Sequence, residues 1–125
     1  MNYKEFKLKR VKRIAVSGAF HTSLMDSKDR MDLFKQQLDE TVFSKPLIDT
    51  YSNRTAQPYI NSWQIRRLLV EQISNSVKWE QIMHRIYEKC EEFPETYECG
   101  PGKQLGTILK MVNAKAHVSY KNIEV

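Results

Sequence analysis

The sequence has 125 residues, of which 41% are apolar and 28% charged, with a formal net charge of +5. That length and balance suit one globular domain with a real core, since domains of about 100 to 150 residues are the commonest size. No apolar run approaches the roughly 18 residues a membrane-spanning helix needs, and Cys90 and Cys99, with neither C-x-x-C spacing nor nearby paired histidines, give no zinc signature.

In chain order, the positive charge comes first: Lys4, Lys7, Lys9, Arg10, Lys12 and Arg13 stand against Glu5 alone. Such a run fits a nucleic-acid arm, a transit peptide, a solvated domain edge or a surface that steers anions. It passes straight into the next element without room for cleavage, so the solvated edge is the favoured reading. No helix-turn-helix or RNP signature supports nucleic acid.

Lys12 to Ser17 reads as a short strand with Val11, Ile14 and Val16 as its apolar members. Gly18 and Ala19 then turn the chain, placing His21 just past a strand end, where open α/β sheets collect ligands and reactive groups. From residue types alone, a buried structural histidine is the favoured reading of His21 over a reactive one.

Asp26 and Ser27 are candidate caps for a helix whose apolar residues Met31, Phe34, Leu38 and Val42 recur at helical spacing, with Pro46 as its stop. Leu47 to Ser52 reads as a second strand and Asn53 to Tyr59 as a polar loop. Asn61 with Gln64 three residues on has the form of a capping box. The helix behind it turns Ile65, Leu68, Leu69 and Ile73 inward and leaves Arg66, Arg67 and Glu71 to water.

Ser74-Asn75-Ser76 breaks the chain before a helix striped by Trp79, Ile82, Met83, Ile86, Tyr87 and Cys90. Six apolar residues on one face predict core packing, and His84 falls outside the stripe. Phe93 to Cys99 is a third strand, Gly100-Pro101-Gly102 a tight turn, Gln104 to Val112 a helix, and Ala116 to Tyr120 a last strand containing His117. Gly100-Pro101-Gly102-Lys103 lacks the spacing of a phosphate loop and reads as a turn. This alternation predicts an α/β fold with a parallel or mixed sheet.

The segment Val16–Met25, which contains Gly18-Ala19-Phe20-His21, and the segment Gly100-Pro101-Gly102-Lys103-Gln104-Leu105 together resemble the acyltransferase family of fatty-acid synthesis, in its malonyl-transferring, animal mitochondrial branch. Tyr51-Ser52-Asn53, Leu69 to Ile73, Val77 to Gln81 and Phe93-Pro94 follow in the family's order, so the resemblance covers nearly the whole chain. It implies the C-terminal portion of an α/β-hydrolase-like acyltransferase domain. The family's G-x-S-x-G serine elbow is not in this sequence, because Gly18, Gly100, Gly102 and Gly106 are its only glycines. Residues 1–125 are therefore expected to form a partial domain, with the serine, the malonyl-binding arginine and the oxyanion donors supplied from outside it, and to be inactive alone.

The resemblance also implies roles. His21 would be the base that activates the serine, oriented by the main-chain carbonyl of Gln72, so that Gln72→Ala should leave much activity. Phe20, just before the histidine, would favour malonyl over methylmalonyl by its bulk. The family moves malonyl from malonyl-CoA to the phosphopantetheine thiol of acyl carrier protein, in mitochondria, without a metal or redox cofactor. Acyl carrier protein, malonyl-CoA and the serine-bearing half are the implied partners. The competing expectation is a non-catalytic subunit that binds acyl carrier protein or the complete enzyme. Ser76, where the family commonly has proline, and Cys99, where it has an apolar β-branched residue, depart from the pattern without touching chemistry.

Overall fold

The structure, a computed structural model, describes residues 15–88 and 90–125. The basic run of residues 1–13 and the first half of the first expected strand lie outside the described residues, and the rest of that strand, residues 15–17, joins no sheet among the described residues. A 3-10 turn at Ser23–Met25 leads into α1 (Lys28–Glu40), α2 (Ser62–Glu71) and α3 (Trp79–Tyr87). Then come β1 (Thr96–Cys99), α4 (Gln104–Val112), a second 3-10 turn (Ala116–Ser119) and β2 (Tyr120–Ile123).

Helix α1 buries Met31 and Leu38 and stops at Glu40, short of the expected stop at Pro46. The reason is competition for its last carbonyls. Thr41 turns extended and its hydroxyl donates to the Gln37 carbonyl at 2.7 Å. Arg66, expected on the wet face of α2, instead reaches across to donate to the Leu38 and Thr41 carbonyls at 3.2 and 3.0 Å, and its guanidinium lies 5.4 Å from the Phe43 ring centroid. These contacts satisfy orphan groups of the helix end and fasten α1 to α2. Val42 is left exposed beyond the helix.

At the start of α2 the Asn61 carboxamide accepts from the Gln64 amide at 2.8 Å, as the capping-box spacing predicts. The reciprocal bond differs by one residue: Gln64 Oε1 accepts from the amide of Ile60, not Asn61, at 2.7 Å. Leu47 to Ser52 does not form a strand. Only Tyr51 pairs, in a single antiparallel bridge with Pro58, and Leu47 and Ile48 are exposed. Immediately after Tyr51 the chain reverses: Ser52 N–H donates to the Gln57 carbonyl, and Ala56 takes a positive φ of 56°. A second rung cannot form there.

The core joins Ile82, Met83 and Tyr87 of α3 to Leu109 of α4, Ala56 and Ala116, with Trp79, Ile86, Phe93, Val112 and Tyr120 packed around them. Strands β1 and β2 run parallel, Thr96 facing Tyr120 and Cys99 facing Ile123, and α4 makes the crossover that a parallel pair requires. The fold is thus α/β with a parallel sheet. Ala116–Ser119, expected in the last strand, is a 3-10 turn. Asn113 causes this, since its side chain accepts the Ala116 amide at 3.0 Å and its carbonyl the His117 amide at 3.2 Å. Cys99 lies on the open face of β1 and not in a buried strand, and both cysteines are free thiols.

Gly100 and Gly102, with φ of 134° and 85°, make the turn that few other residues could. The turn sets the start of α4 against Glu98. That carboxylate accepts the Leu105 and Gly106 amides at 3.1 and 2.8 Å and the Tyr120 hydroxyl at 2.5 Å. Gly106 is required there, because a Cβ would enter the Tyr120 ring. The positive end of α4 is therefore occupied by an internal anion, in keeping with the reading of Gly100-Pro101-Gly102-Lys103 as a turn.

The Tyr120 hydroxyl, aided by the helix amides, holds Glu98 below the ordinary carboxylate value of 4.5. Desolvation, then the Glu98 charge, pushes Tyr120 up to about 12 from 10.0. The signs follow from linkage. Glu98 contributes stability that is present above its unfolded value and lost as pH falls through its lowered folded value. Tyr120 contributes stability present below its unfolded value and lost as pH rises toward its raised one. Tyr120→Phe is expected to remove the alkaline loss and weaken the acid one, read as melting temperature against pH. An unchanged profile would contradict this pairing.

Candidate active site

His21 sits in a turn with a positive φ of 58°, a region that non-glycine residues occupy sparingly. The flanking chain holds it there. The Thr22 hydroxyl donates to the Ala19 carbonyl at 2.7 Å, and the Met25 amide to the Thr22 carbonyl at 3.0 Å. Thr22 also caps the following 3-10 turn through the Leu24 amide.

Across 51 residues of sequence, His21 Nδ1 lies 2.6 Å from the main-chain oxygen of Gln72. Gln72 is the C-cap of α2, and its own N–H donates back to Leu68 at 3.1 Å. Its carbonyl is one of those a helix end leaves without an intrahelical partner. A carbonyl has no proton to give, so this bond requires the proton on Nδ1, and the lone pair is then on Nε2. A half-buried imidazole in that tautomer has one nitrogen fixed and one able to accept a proton.

Phe20 is exposed, with its ring over Gly18; a Cβ at Gly18 would meet that ring at 3.3 Å. The glycine leaves room for the aromatic ring to fold back over it. Asn53, read from sequence only as part of a loop, donates from Nδ2 to the Gln72 side-chain oxygen at 3.0 Å. The signal available was its place in Tyr51-Ser52-Asn53, which says nothing of a partner nineteen residues away.

The other histidines stand apart from this cluster. His84 is exposed on α3 between Glu80 and Glu88, at 3.7 and 3.5 Å, and His117 stacks on Tyr120 with centroids 5.2 Å apart. Among the described residues no group of three or more His, Cys, Asp or Glu side chains is arranged to hold a metal ion.

No protein-family model matches the sequence. Individual proteins do. The chain is 46% identical over 124 residues to a probable mitochondrial malonyl-CoA-acyl carrier protein transacylase of Drosophila melanogaster, covering 98% of this chain and 32% of the relative. It is 44% identical over 126 residues to the mitochondrial malonyl-CoA-acyl carrier protein transacylase of Homo sapiens, covering 99% of this chain and 32% of that one. Among solved structures it superposes on an acyl-carrier-protein S-malonyltransferase of Burkholderia pseudomallei with a TM-score of 0.78 and 26% identity, over 96% of this chain and 37% of that chain. The chain spans about a third of the length of the curated relatives it matches.

In sequence and fold, this chain is the C-terminal part of a domain of the acyltransferase family. The members it matches over nearly all of its length are malonyl-CoA-acyl carrier protein transacylases of the mitochondrial type.

Proposed function

We propose that this sequence supplies the histidine-bearing part of a mitochondrial malonyl-CoA-acyl carrier protein transacylase, acting in fatty-acid biosynthesis. The observation that carries the reading is the 2.6 Å contact between His21 Nδ1 and the Gln72 carbonyl, which leaves Nε2 as the base. The nucleophile is a serine in an elbow outside this sequence, as are the oxyanion donors and the arginine for the malonyl carboxylate.

His21 serves both half-reactions. Its Nε2 takes the serine hydroxyl proton as the oxygen attacks the malonyl thioester, and returns that proton to the departing CoA sulfur. It then takes the proton of the phosphopantetheine thiol as that sulfur attacks the malonyl-serine ester, and returns it to the serine oxygen. One imidazole alternating between base and acid suffices, and the chemistry calls for no metal or redox cofactor. Malonyl-CoA and acyl carrier protein are the partners.

Phe20 sets specificity by volume: an aromatic ring just before the histidine would collide with the extra methyl of methylmalonyl. Phe20→Ser is expected to raise kcat/KM for methylmalonyl-CoA relative to malonyl-CoA about 10- to 200-fold, the range one methyl group commands. Competition assays with both thioesters check it, and an unchanged ratio would remove Phe20 from this role.

The second reading is a non-catalytic subunit that binds acyl carrier protein or the complete enzyme. Intact mass of the native polypeptide, captured from mitochondria with an antibody against residues 80–97, separates the two. A mass well above 14.8 kDa is expected if the serine elbow belongs to the same polypeptide. A mass of 14.8 kDa for a chain that transfers no malonyl would favour the subunit.

A further inference from the structure

Gln72 meets His21 through its backbone, so a side-chain substitution at that position should cost little. Its side chain nevertheless has a partner. Gln72 is the C-cap of α2, just before residues 73–76, at a helix end where chains fray and carbonyl positions are loosely set. A carbonyl that must hold an imidazole within hydrogen-bond distance needs restraint from elsewhere, because small misplacements of a reacting group cost large factors in rate.

The loop Tyr51–Pro58 supplies that restraint. It is closed at its base by the Tyr51–Pro58 bridge and braced inside by Ser52 N–H to the Gln57 carbonyl and Ala56 N–H to the Ser52 carbonyl, both 2.9 Å. Ser52 is buried. From this rigid loop Asn53 extends in two directions. Its Nδ2 donates to the Gln72 side-chain oxygen at 3.0 Å, and its carbonyl accepts the Lys78 amide at the start of α3 at 2.9 Å. Beside it, Arg54 Nε pairs with Glu71 at 3.6 Å. Asn75 Nδ2 ties the same turn to the Glu71 carbonyl at 2.7 Å.

We infer that Asn53 is a positioning residue for His21: by holding the Gln72 side chain and the start of α3 at once, it fixes the carbonyl that selects the Nδ1–H tautomer. This rests on the reading of His21 as the base. On this inference Gln72→Ala keeps the carbonyl but removes the tether.

The test reads the ring, not the fold. The native polypeptide carrying this sequence is labelled with 15N-histidine, and the His21 ring nitrogens are followed by long-range 1H–15N correlation, with His84 and His117 as internal references. Wild type is expected to show Nδ1 protonated. In Asn53→Ala the tautomer ratio is expected to move toward Nε2–H about two- to tenfold, the factor one net hydrogen bond represents. Asn53→Asp is expected to restore it, because a carboxylate can accept from the Gln72 amide once that amide turns over. Gln72→Met, which keeps the backbone carbonyl but has no amide, is expected to shift like Asn53→Ala, and decides the matter should Asn53→Ala not fold. A wild-type Nδ1–H ring left unchanged by either variant would overturn the role of Asn53 and leave His21 as base. A wild-type ring protonated on Nε2 would overturn both.

Discussion

His21→Ala in the native polypeptide is expected to lower kcat for malonyl transfer from CoA to acyl carrier protein by about 10²–10⁴-fold, the contribution of a positioned acid–base group. KM should change little, because the imidazole acts on the proton in flight and not on the bound thioester. Both half-reactions should slow, since the same Nε2 faces the serine hydroxyl in one and the phosphopantetheine thiol in the other. Single-turnover formation and decay of the malonyl-serine ester measures them separately. A loss confined to one step would mean that a second group serves the other thiol. The half-buried setting of His21 and its contact with Gln72 make the variant a replacement at a structured site, so circular dichroism should accompany the kinetics.

Leu109→Ala is expected to cost about 2–5 kcal/mol of stability, the range found for large-to-small changes in a packed core. Leu109 is 2% exposed and sits where α4 meets α3 and the buried Ala116. Its neighbours belong to rigid elements: Tyr87 and Met83 are on α3, and Ala116 is held by Asn113. The cavity can therefore collapse only partly. Urea unfolding of the two proteins measures the difference, and a loss below about 1 kcal/mol would mean that this cluster is not the core.

Much of this architecture was legible in the sequence for identifiable reasons. The stripe Trp79, Ile82, Met83, Ile86 and Tyr87 falls on α3 because its periodicity is helical, with Cys90, expected on the same stripe, just past the helix end, and Gln104–Val112 is a helix as its good helix formers after the glycine turn predict. Gly100-Pro101-Gly102 read as a turn, and two of its residues need a positive φ. The errors fell where distant side chains decide. Nothing local to Thr41 announces that Arg66 will take the α1 carbonyls, and the apolar run Leu47–Ile48 looks like a strand although its chain reverses after Tyr51. Asn113 turned an expected strand into a 3-10 turn through a bond no propensity scale contains.

The site shows the same division. His21, Phe20 and Gln72 were singled out by resemblance; the chain places the His21 ring against the Gln72 backbone, while the Phe20 ring lies over Gly18. Asn53 was not singled out, since its partner is a side chain nineteen residues on and its own segment reads as a polar loop. Glu98 was missed likewise. Its alternation in β1 marks an inward position, and only the crossover geometry of α4 explains why a carboxylate belongs there.

The most direct test of the central claim is transfer of labelled malonyl from malonyl-CoA to acyl carrier protein by the native polypeptide that carries His21. Transfer through a malonyl-serine ester is expected, with the serine outside these 125 residues and the rate dependent on His21. A native polypeptide that binds acyl carrier protein without transferring malonyl, or one whose transfer survives His21→Ala at full rate, would contradict it.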